Sequence, residues 1–204
     1  RRADVITRGF SGYNTRMCKE LLPYVASDMK DVVAATVFLG ANDATDGKLN
    51  TQQSVPIDEY RENLKSIIKH FKSHGIETIV IAPPAVDGPS WAKYCADNGK
   101  VYTLDEERTE HYAAACRETA QEMETPFIDL HTVMINQSEW RSFLCDGLHL
   151  SRLGSELLAS LLIPVLEKSI VNRISQNLLV PLWSEVNNQN PSKTFQEWCQ
   201  KNIK

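Results

Sequence analysis

Nowhere in this chain does an apolar run approach the ~20 residues that a membrane-spanning helix needs, so no segment reads as a membrane span. A basic excess is also missing. Lys and Arg number 22 against 26 Asp and Glu, leaving a net charge of −4 and a pI near 5.8. Nucleic-acid binding, which needs a positive footprint, is disfavoured. There is no Cys-x-x-Cys pair, and the five cysteines (Cys18, Cys95, Cys116, Cys145, Cys199) are scattered and odd in number. That usage suits free thiols in a reducing, cytoplasmic setting better than a disulfide framework. Internal repeats and low-complexity tracts are absent. So is an initiating Met: Arg1 stands first, and apolar sequence begins within a few positions. Residues upstream of Arg1 are therefore expected, and a signal peptide could lie among them.

What remains is an ordinary globular composition, 42% apolar and 24% charged over 204 residues, enough for one core of usual size. The organising stretch is the apolar run from Val32 to Leu39, ended by Gly40-Ala41-Asn42-Asp43. Its β-branched richness reads as an interior strand of a parallel sheet, buried on both faces. Residues 3–7 read as a short strand ahead of it, closed by a turn with Gly9 and Gly12, with a helix from about Asn14 or Thr15. Residues 44–56 are polar and aperiodic, a loop. Tyr60, Leu64, Ile67, Ile68 and Phe71 then form a helical stripe ended by His74-Gly75. A second buried strand over 78–82 stops at Pro83-Pro84. Residues 85–103 read as an irregular aromatic loop of the kind that walls a pocket. A helix over 104–123 and a short strand over 127–130 follow, with Asp129 as a turn or cap residue, and one short helix and a turn lie within 131–143. Ser151 is a good N-cap for a long helix with Leu153, Leu157, Leu158, Leu161, Leu162 and Leu166 on its apolar face. Beyond Ile170 the period is lost, and residues 181–204 read as a surface tail anchored by Trp183, Phe195 and Trp198. Alternating strands and helices mean βαβ units, hence an α/β fold of three layers around a parallel sheet.

Two groups of residues carry chemistry. Asp146 and His149 stand three apart on the turn entering the last long helix. A carboxylate that accepts the Nδ1 proton of an imidazole fixes its tautomer and leaves Nε2 as a base. On spacing alone, an Asp capping a helix beside an incidental His is the better fit. Metal ligation by Cys145, Asp146 and His149 lacks a fourth ligand at recognisable spacing, and a Cys145 nucleophile sits awkwardly close to His149. The second group is Gly12 and Asn42, each just past a strand. A backbone N–H and a side-chain amide converging on one oxygen would form an oxyanion hole.

Three blocks, Arg8-Gly9-Phe10-Ser11-Gly12-Tyr13-Asn14-Thr15, Gly40-Ala41-Asn42-Asp43 and Asp146-Gly147-Leu148-His149, together resemble the SGNH (GDSL-type) hydrolases in order and spacing. Within them the chain is most similar to the isoamyl-acetate-hydrolysing esterases. The resemblance runs from Arg1 to about Trp183. It implies a flavodoxin-like α/β/α fold and hydrolysis of short-chain carboxylic esters through a serine acyl-enzyme. It gives Gly12 and Asn42 the oxyanion-hole positions, Asp146 and His149 the acid and base, and Asp43 the support of the Asn42 turn. It implies no cofactor and no metal, and a small-molecule ester as the partner; the oligomeric state stays open.

The family's Gly-Asp-Ser block, which carries the nucleophile on the first strand, occurs nowhere in these residues. Asp87-Gly88-Pro89-Ser90 follows the wrong strand, and Ser11 belongs to the second block. In the strand order 2-1-3-4-5 the missing strand lies between the one ending near Thr7 and the one ending at Leu39. A strand with its crossover amounts to roughly 30 residues or more. Its absence leaves backbone groups unpaired in mid-sheet. The expectation is a hydrolase domain over residues 1–180, shortened at its N-terminus by truncation, isoform or gene model, and a tail over 181–204. No nucleophile lies in the chain, which is expected to be inert as it stands. The alternative is a non-catalytic homologue that binds an ester or a protein partner without turnover.

Overall fold

A three-stranded parallel sheet sorts its side chains to two faces, and the helices follow that sorting. The computed structural model describes residues 4–25, 29, 31–170, 181 and 183–202. The strands are β1 (Ala34–Phe38), β2 (Glu77–Ile81) and β3 (Phe127–Ile128), in that order across the sheet. β1 pairs with β2 from Ala34↔Glu77 to Phe38↔Ile81, and β2 with β3 at Val80↔Phe127 and Ile81↔Ile128. β2 is central, and its side chains alternate: Val80 joins one apolar cluster, Ile79 and Ile81 the other.

The Val80 side is covered by α1 (Thr15–Val25), α2 (Ile57–Ser73) and α4 (Glu106–Glu122). The expected stripe of α2 is buried as read, with Tyr60, Leu64, Ile67, Ile68 and Phe71 inside and Asn63 beside them. Each such aliphatic side chain contributes about 1.5–3 kcal/mol of burial. The Ile79 and Ile81 side is covered by α5 (Leu130–Ile135) and α6 (Arg152–Ile170), whose Leu157, Leu158, Leu161, Leu162, Val165 and Leu166 pack on it. This is the α/β/α layering read from the sequence.

Several expectations need correction. β1 is not buried on both faces. It is the edge of the sheet among the described residues, with only Val37 fully buried and Phe38 38% exposed. Apolar composition marked a strand, but it cannot tell an interior position from an edge with one neighbour. Residues 4–7 form no strand, residue 3 lying outside the described residues, and Val5 is 94% exposed. Residues 85–103 are not all loop: α3 (Gly88–Asp97) occupies half of them, begun by Pro89 in its first turn. Its short apolar stripe, Trp91, Tyr94 and Cys95 at i, i+3 and i+4, spans little more than one turn between Gly-Pro and Asn-Gly loop signals. Leu153 is 52% exposed and leaves the face of α6 assigned to it, because it lies in the first turn, ahead of the packed residues. Ser151 caps that helix as expected, its Oγ accepting from Gly154 N at 3.2 Å. Asp129 caps α5, accepting from Thr132 N at 3.2 Å, and pairs with Arg117.

Contacts divide the chain into two units, Phe10–Ser169, and Arg1–Gly9 with Ile170–Lys204. The second holds a short 3-10 turn (Trp183–Glu185) and α7 (Pro191–Asn202), so the expected tail is in part helical.

Gly154 shows how tightly α6 enters. A Cβ built there would lie 2.2 Å from the Phe143 carbonyl oxygen, a backbone atom that cannot swing away. Alanine for a helical glycine ordinarily gains up to about 1 kcal/mol. Here the clash wins, and Gly154→Ala is expected to lose about 2–3 kcal/mol in urea unfolding. An unchanged or raised midpoint would contradict this packing.

Candidate active site

The carboxyl end of β1 turns sharply at Gly40, whose φ of +130° is closed to most side chains. Space forbids one as well, since an added Cβ would sit 2.9 Å from the Tyr60 hydroxyl. Tyr60 in turn donates to the Leu39 carbonyl at 3.2 Å. The turn closes with Ala44 N donating to Gly40 O at 2.9 Å, and Thr45 Oγ1 to Asn42 O at 2.9 Å. Asn42 and Asp43 are thus set on a rigid corner.

Asp43 is fully buried, and its Oδ1 accepts from the backbone N of Thr15 at 2.9 Å and from Thr15 Oγ1 at 2.5 Å. One carboxylate oxygen therefore ties the start of α1 to the end of β1. Asn14 caps α1, its Oδ1 accepting from Met17 N at 2.9 Å, and its Nδ2 donates to the Gln53 carbonyl at 2.8 Å. Just ahead, Tyr13 N donates to Phe10 O at 3.2 Å across a turn in which Gly12 has φ +79°. Residues 10–15, the Asn42 corner and the loop over 44–56 are in this way one hydrogen-bonded body. That loop is itself stapled: Val55 N donates to Asp43 O at 3.1 Å, and the Tyr112 hydroxyl donates to Val55 O.

Across the site, residues 144–150 form a short loop closed by an antiparallel bridge between Leu144 and Leu150. Asp146 Oδ1 accepts from the backbone N of Leu148 at 3.0 Å and of His149 at 2.8 Å. Its Oδ2 faces His149 Nδ1 at 2.7 Å. With Nδ1–H given to Asp146, the lone pair of the ring is on Nε2. Burial alone would raise the Asp146 carboxyl, but the His149 ring and the two backbone N–H groups outweigh it and hold it below its usual range. The Asp146 side chain is 12% exposed and that of His149 64%, so the carboxylate is sheltered and the imidazole is open. Both Asp146 oxygens are engaged within the loop, which argues against splaying it as a metal ligand beside Cys145.

The loop is seated on α3. Asp87 N donates to Gly147 O at 2.8 Å, and a Cβ on Gly147, at φ +98°, would fall 2.4 Å from Trp91 N. Trp91 meets the His149 ring edge-on at 5.8 Å. A cleft of about 710 Å³ collects these groups, with Gly12, Asn42, Gln53, Trp91, Leu148 and His149 among its lining. The residues singled out from three separate stretches of sequence are thus brought to one cavity beyond the carboxyl end of β1, with Asp146 behind His149. Ser11 also lines it, whereas Ser90, donating to Asp87 Oδ2 at 2.5 Å, lies in a separate recess of about 450 Å³. The five thiols form no disulfide. Gln53 and Asp87 were not legible as site residues. Gln53 sits in an aperiodic polar loop, and Asp87 acts through a backbone N–H that any residue but Pro carries. The aromatic richness of 85–103 did signal Trp91.

The model of the GDSL-like lipase/acylhydrolase family matches residues 1–157. The isoamyl acetate-hydrolyzing esterase 1 homolog of Homo sapiens is 38% identical over 197 residues, covering 94% of this chain and 78% of that protein. The isoamyl acetate-hydrolyzing esterase of Saccharomyces cerevisiae is 33% identical over 170 residues, covering 82% of this chain and 70% of that one. Among solved structures, a lipase/acylhydrolase from Enterococcus faecalis superposes with a TM-score of 0.62 at 27% identity, over 82% of this chain and 75% of that chain.

Asp43 generates a pH signature. Burial raises its carboxyl to about 6, against the Thr15 hydrogen bonds that pull it down, and its Oδ2 has no hydrogen-bond partner. The folded pKa is above the unfolded one, so this group's stability is full below about pH 4 and is lost as pH rises to about 6. The loss is on the order of 3 kcal/mol. Asp43→Asn keeps an acceptor for Thr15 and removes the titration. Its stability relative to wild type should therefore rise by that amount from below pH 4 to above pH 6 in urea titrations, levelling off only where Asp43 is fully ionised. A difference that does not change with pH would contradict the burial argument.

Proposed function

The chain belongs to the GDSL-like lipase/acylhydrolase family, and from that premise we propose that it is built to hydrolyse short-chain carboxylic esters through a serine acyl-enzyme. The observation that carries the reading is the shared cavity, into which Gly12, Asn42 and His149 all face, with Asp146 2.7 Å behind the imidazole. In this mechanism a serine Oγ attacks the ester carbonyl carbon while His149 Nε2 takes its proton. The negative charge that forms on the carbonyl oxygen is met by the Gly12 N–H and one Asn42 Nδ2 hydrogen. His149 then passes its proton to the departing alcohol, and water enters by the same route to release the acid. Asp146 remains ionised throughout and stabilises the imidazolium.

The nucleophile is the part that residues 1–204 do not supply at the family's position. We assign it to a strand upstream of Arg1, pairing parallel along the edge of β1 that has no partner strand among the described residues. Its carboxyl end would then come out beside the Gly40–Asp43 corner. The 38% exposure of Phe38 and the one pairing partner that β1 has among the described residues support this assignment. The five unpaired thiols favour a reducing compartment, hence the cytoplasm.

The test compares the 204-residue chain with the chain extended upstream through a Gly-Asp-Ser strand, using a short acyl ester and a fluorophosphonate probe. The short chain should be inert and the extended one active and labelled at the added serine. In the extended chain Asn42→Ala should lower kcat by about 10²–10³ with little change in KM, since the lost donor serves the transition state. Stoichiometric labelling of Ser11 or Ser90 would overturn the assignment. An extended chain that binds esters without turnover would favour a non-catalytic binding protein, the reading that the missing serine block also suits.

A further inference from the structure

We infer that Gln53 is the positioning residue of the oxyanion hole: it sets which end of the Asn42 amide faces the cavity and holds the Gly12 turn against it. Its Nε2 donates to the Gly12 carbonyl at 2.9 Å and to Asn42 Oδ1 at 3.1 Å. Asn42 Nδ2 donates to the Tyr13 carbonyl at 2.8 Å. An amide offers a donor end and an acceptor end of nearly equal size, so its orientation is decided by its neighbours. Here two backbone carbonyls, which only accept, serve as fixed references, and Gln53 carries the requirement of one of them to Asn42. The Gly12 carbonyl requires the nitrogen of Gln53 beside it, and the Tyr13 carbonyl requires the nitrogen of Asn42. The remaining contact, Gln53 Nε2 to Asn42 Oδ1, is then satisfied in one orientation only.

The consequence lies in the count of hydrogens. Asn42 Nδ2 has two, and Tyr13 takes one, which leaves one for an oxygen in the cavity. With the amide turned over, Oδ1 would meet the Tyr13 carbonyl and Nδ2 would meet Gln53 Nε2, two repulsive contacts for two attractive ones. A turned amide would also present a lone pair where an oxyanion must sit.

Gln53 is itself fixed on every side. Its Oε1 accepts from Asn50 Nδ2 at 2.7 Å, its backbone N donates to Asn50 Oδ1 at 3.2 Å, and its carbonyl accepts from Asn14 Nδ2 at 2.8 Å. A Cβ on Gly12 would stand 3.4 Å from Gln53 Nε2, so the glamourless Gly12 corner and the amide are in direct contact. The relay from Asn50 through Gln53 to Asn42 and Gly12 is neutral at every step. Neutrality matters, because a carboxylate in the same place would oppose the charge that the hole exists to receive.

This inference rests on the esterase reading, and two variants separate the two. Gln53→Glu keeps the size but offers only acceptors, so it should draw Asn42 Nδ2 toward residue 53 and away from the cavity. Gln53→Leu removes the tie without reversing it. In the extended, active chain, with active sites counted by fluorophosphonate, Gln53→Glu should lower kcat about 10²-fold at nearly constant KM, the size of losing an oxyanion donor. Gln53→Leu should lose less, about 10-fold, because the amide is freed but not turned. A residue that merely braced the loop would cut the number of active sites or raise KM, and would not rank Glu below Leu. A second readout needs no turnover: with 15N-labelled asparagine, the Asn42 Nδ2 protons should show NOEs to Tyr13 in wild type and to residue 53 in Gln53→Glu. Unchanged NOEs would overturn the inference even if the chain proved inactive, and so would a turned amide with undiminished kcat. An inactive wild type with the expected NOEs would instead fault the esterase reading alone.

Discussion

One buried carboxylate oxygen governs how the first half of the site is put together. Asp43 Oδ1 holds both polar groups of Thr15, and through them it fixes where α1 begins relative to where β1 ends. Each loop alone is short of contacts that would define it: Gly12 is free to adopt φ +79°, and residues 44–56 have no periodic pattern. With Asp43 in place, the N-terminus of α1 meets an anion, which its unpaired N–H groups favour. The Asn42 corner then has one position relative to Gly12. The cost is burial of a carboxyl that would rather keep its proton, and the rigid Gly40 corner holds it there regardless.

The second half of the site is held by a different kind of force. Gly147 and Gly154 are places where backbone meets backbone too closely for any side chain, against α3 and against residue 143 respectively. The Asp146–His149 loop is thus wedged between two helix starts, and its own hydrogen bonds only complete what contact has imposed. Contact of this kind fixes position well and chemistry not at all. The chemistry comes from Asp146, whose two oxygens serve the ring and the backbone at once.

Fold and family were largely legible in the sequence because both rest on spacing. The α2 stripe is buried as its period of apolar residues implied, and the three blocks that resembled the SGNH hydrolases line one cavity with Asp146 behind it. What escaped were features that spacing does not encode. An edge strand and an interior strand share a composition, so β1 was read as covered on both faces although Phe38 is not. α3 is short, and its Trp91, Tyr94 and Cys95 stripe spans little more than one turn. Gln53 contributes through the direction of an amide, which depends on two carbonyls that lie 41 and 40 residues away along the chain. Nothing local in a polar loop announces that.

Two carboxylates in this site illustrate why residue type alone does not assign a role. Asp146 is partly sheltered yet held below its usual range, since every lone pair that matters meets a donor, and a carboxylate so held can steady a positive imidazole. Asp43 is more deeply buried, has one oxygen with no partner, and is pushed upward to about 6. It stands next to Asn42, where a full charge directed at the cavity would oppose an oxyanion. Its engaged oxygen is turned to the first turn of α1, so such charge as it bears is met there rather than in the cleft. The groups of this half that line the cavity, Gly12, Asn42 and Gln53, are all neutral. The ionised Asp146 and the neutral Gly12, Asn42 and Gln53 are in this way kept apart by which donors each carboxylate can reach, a separation that the proposed esterase mechanism requires of one small cleft.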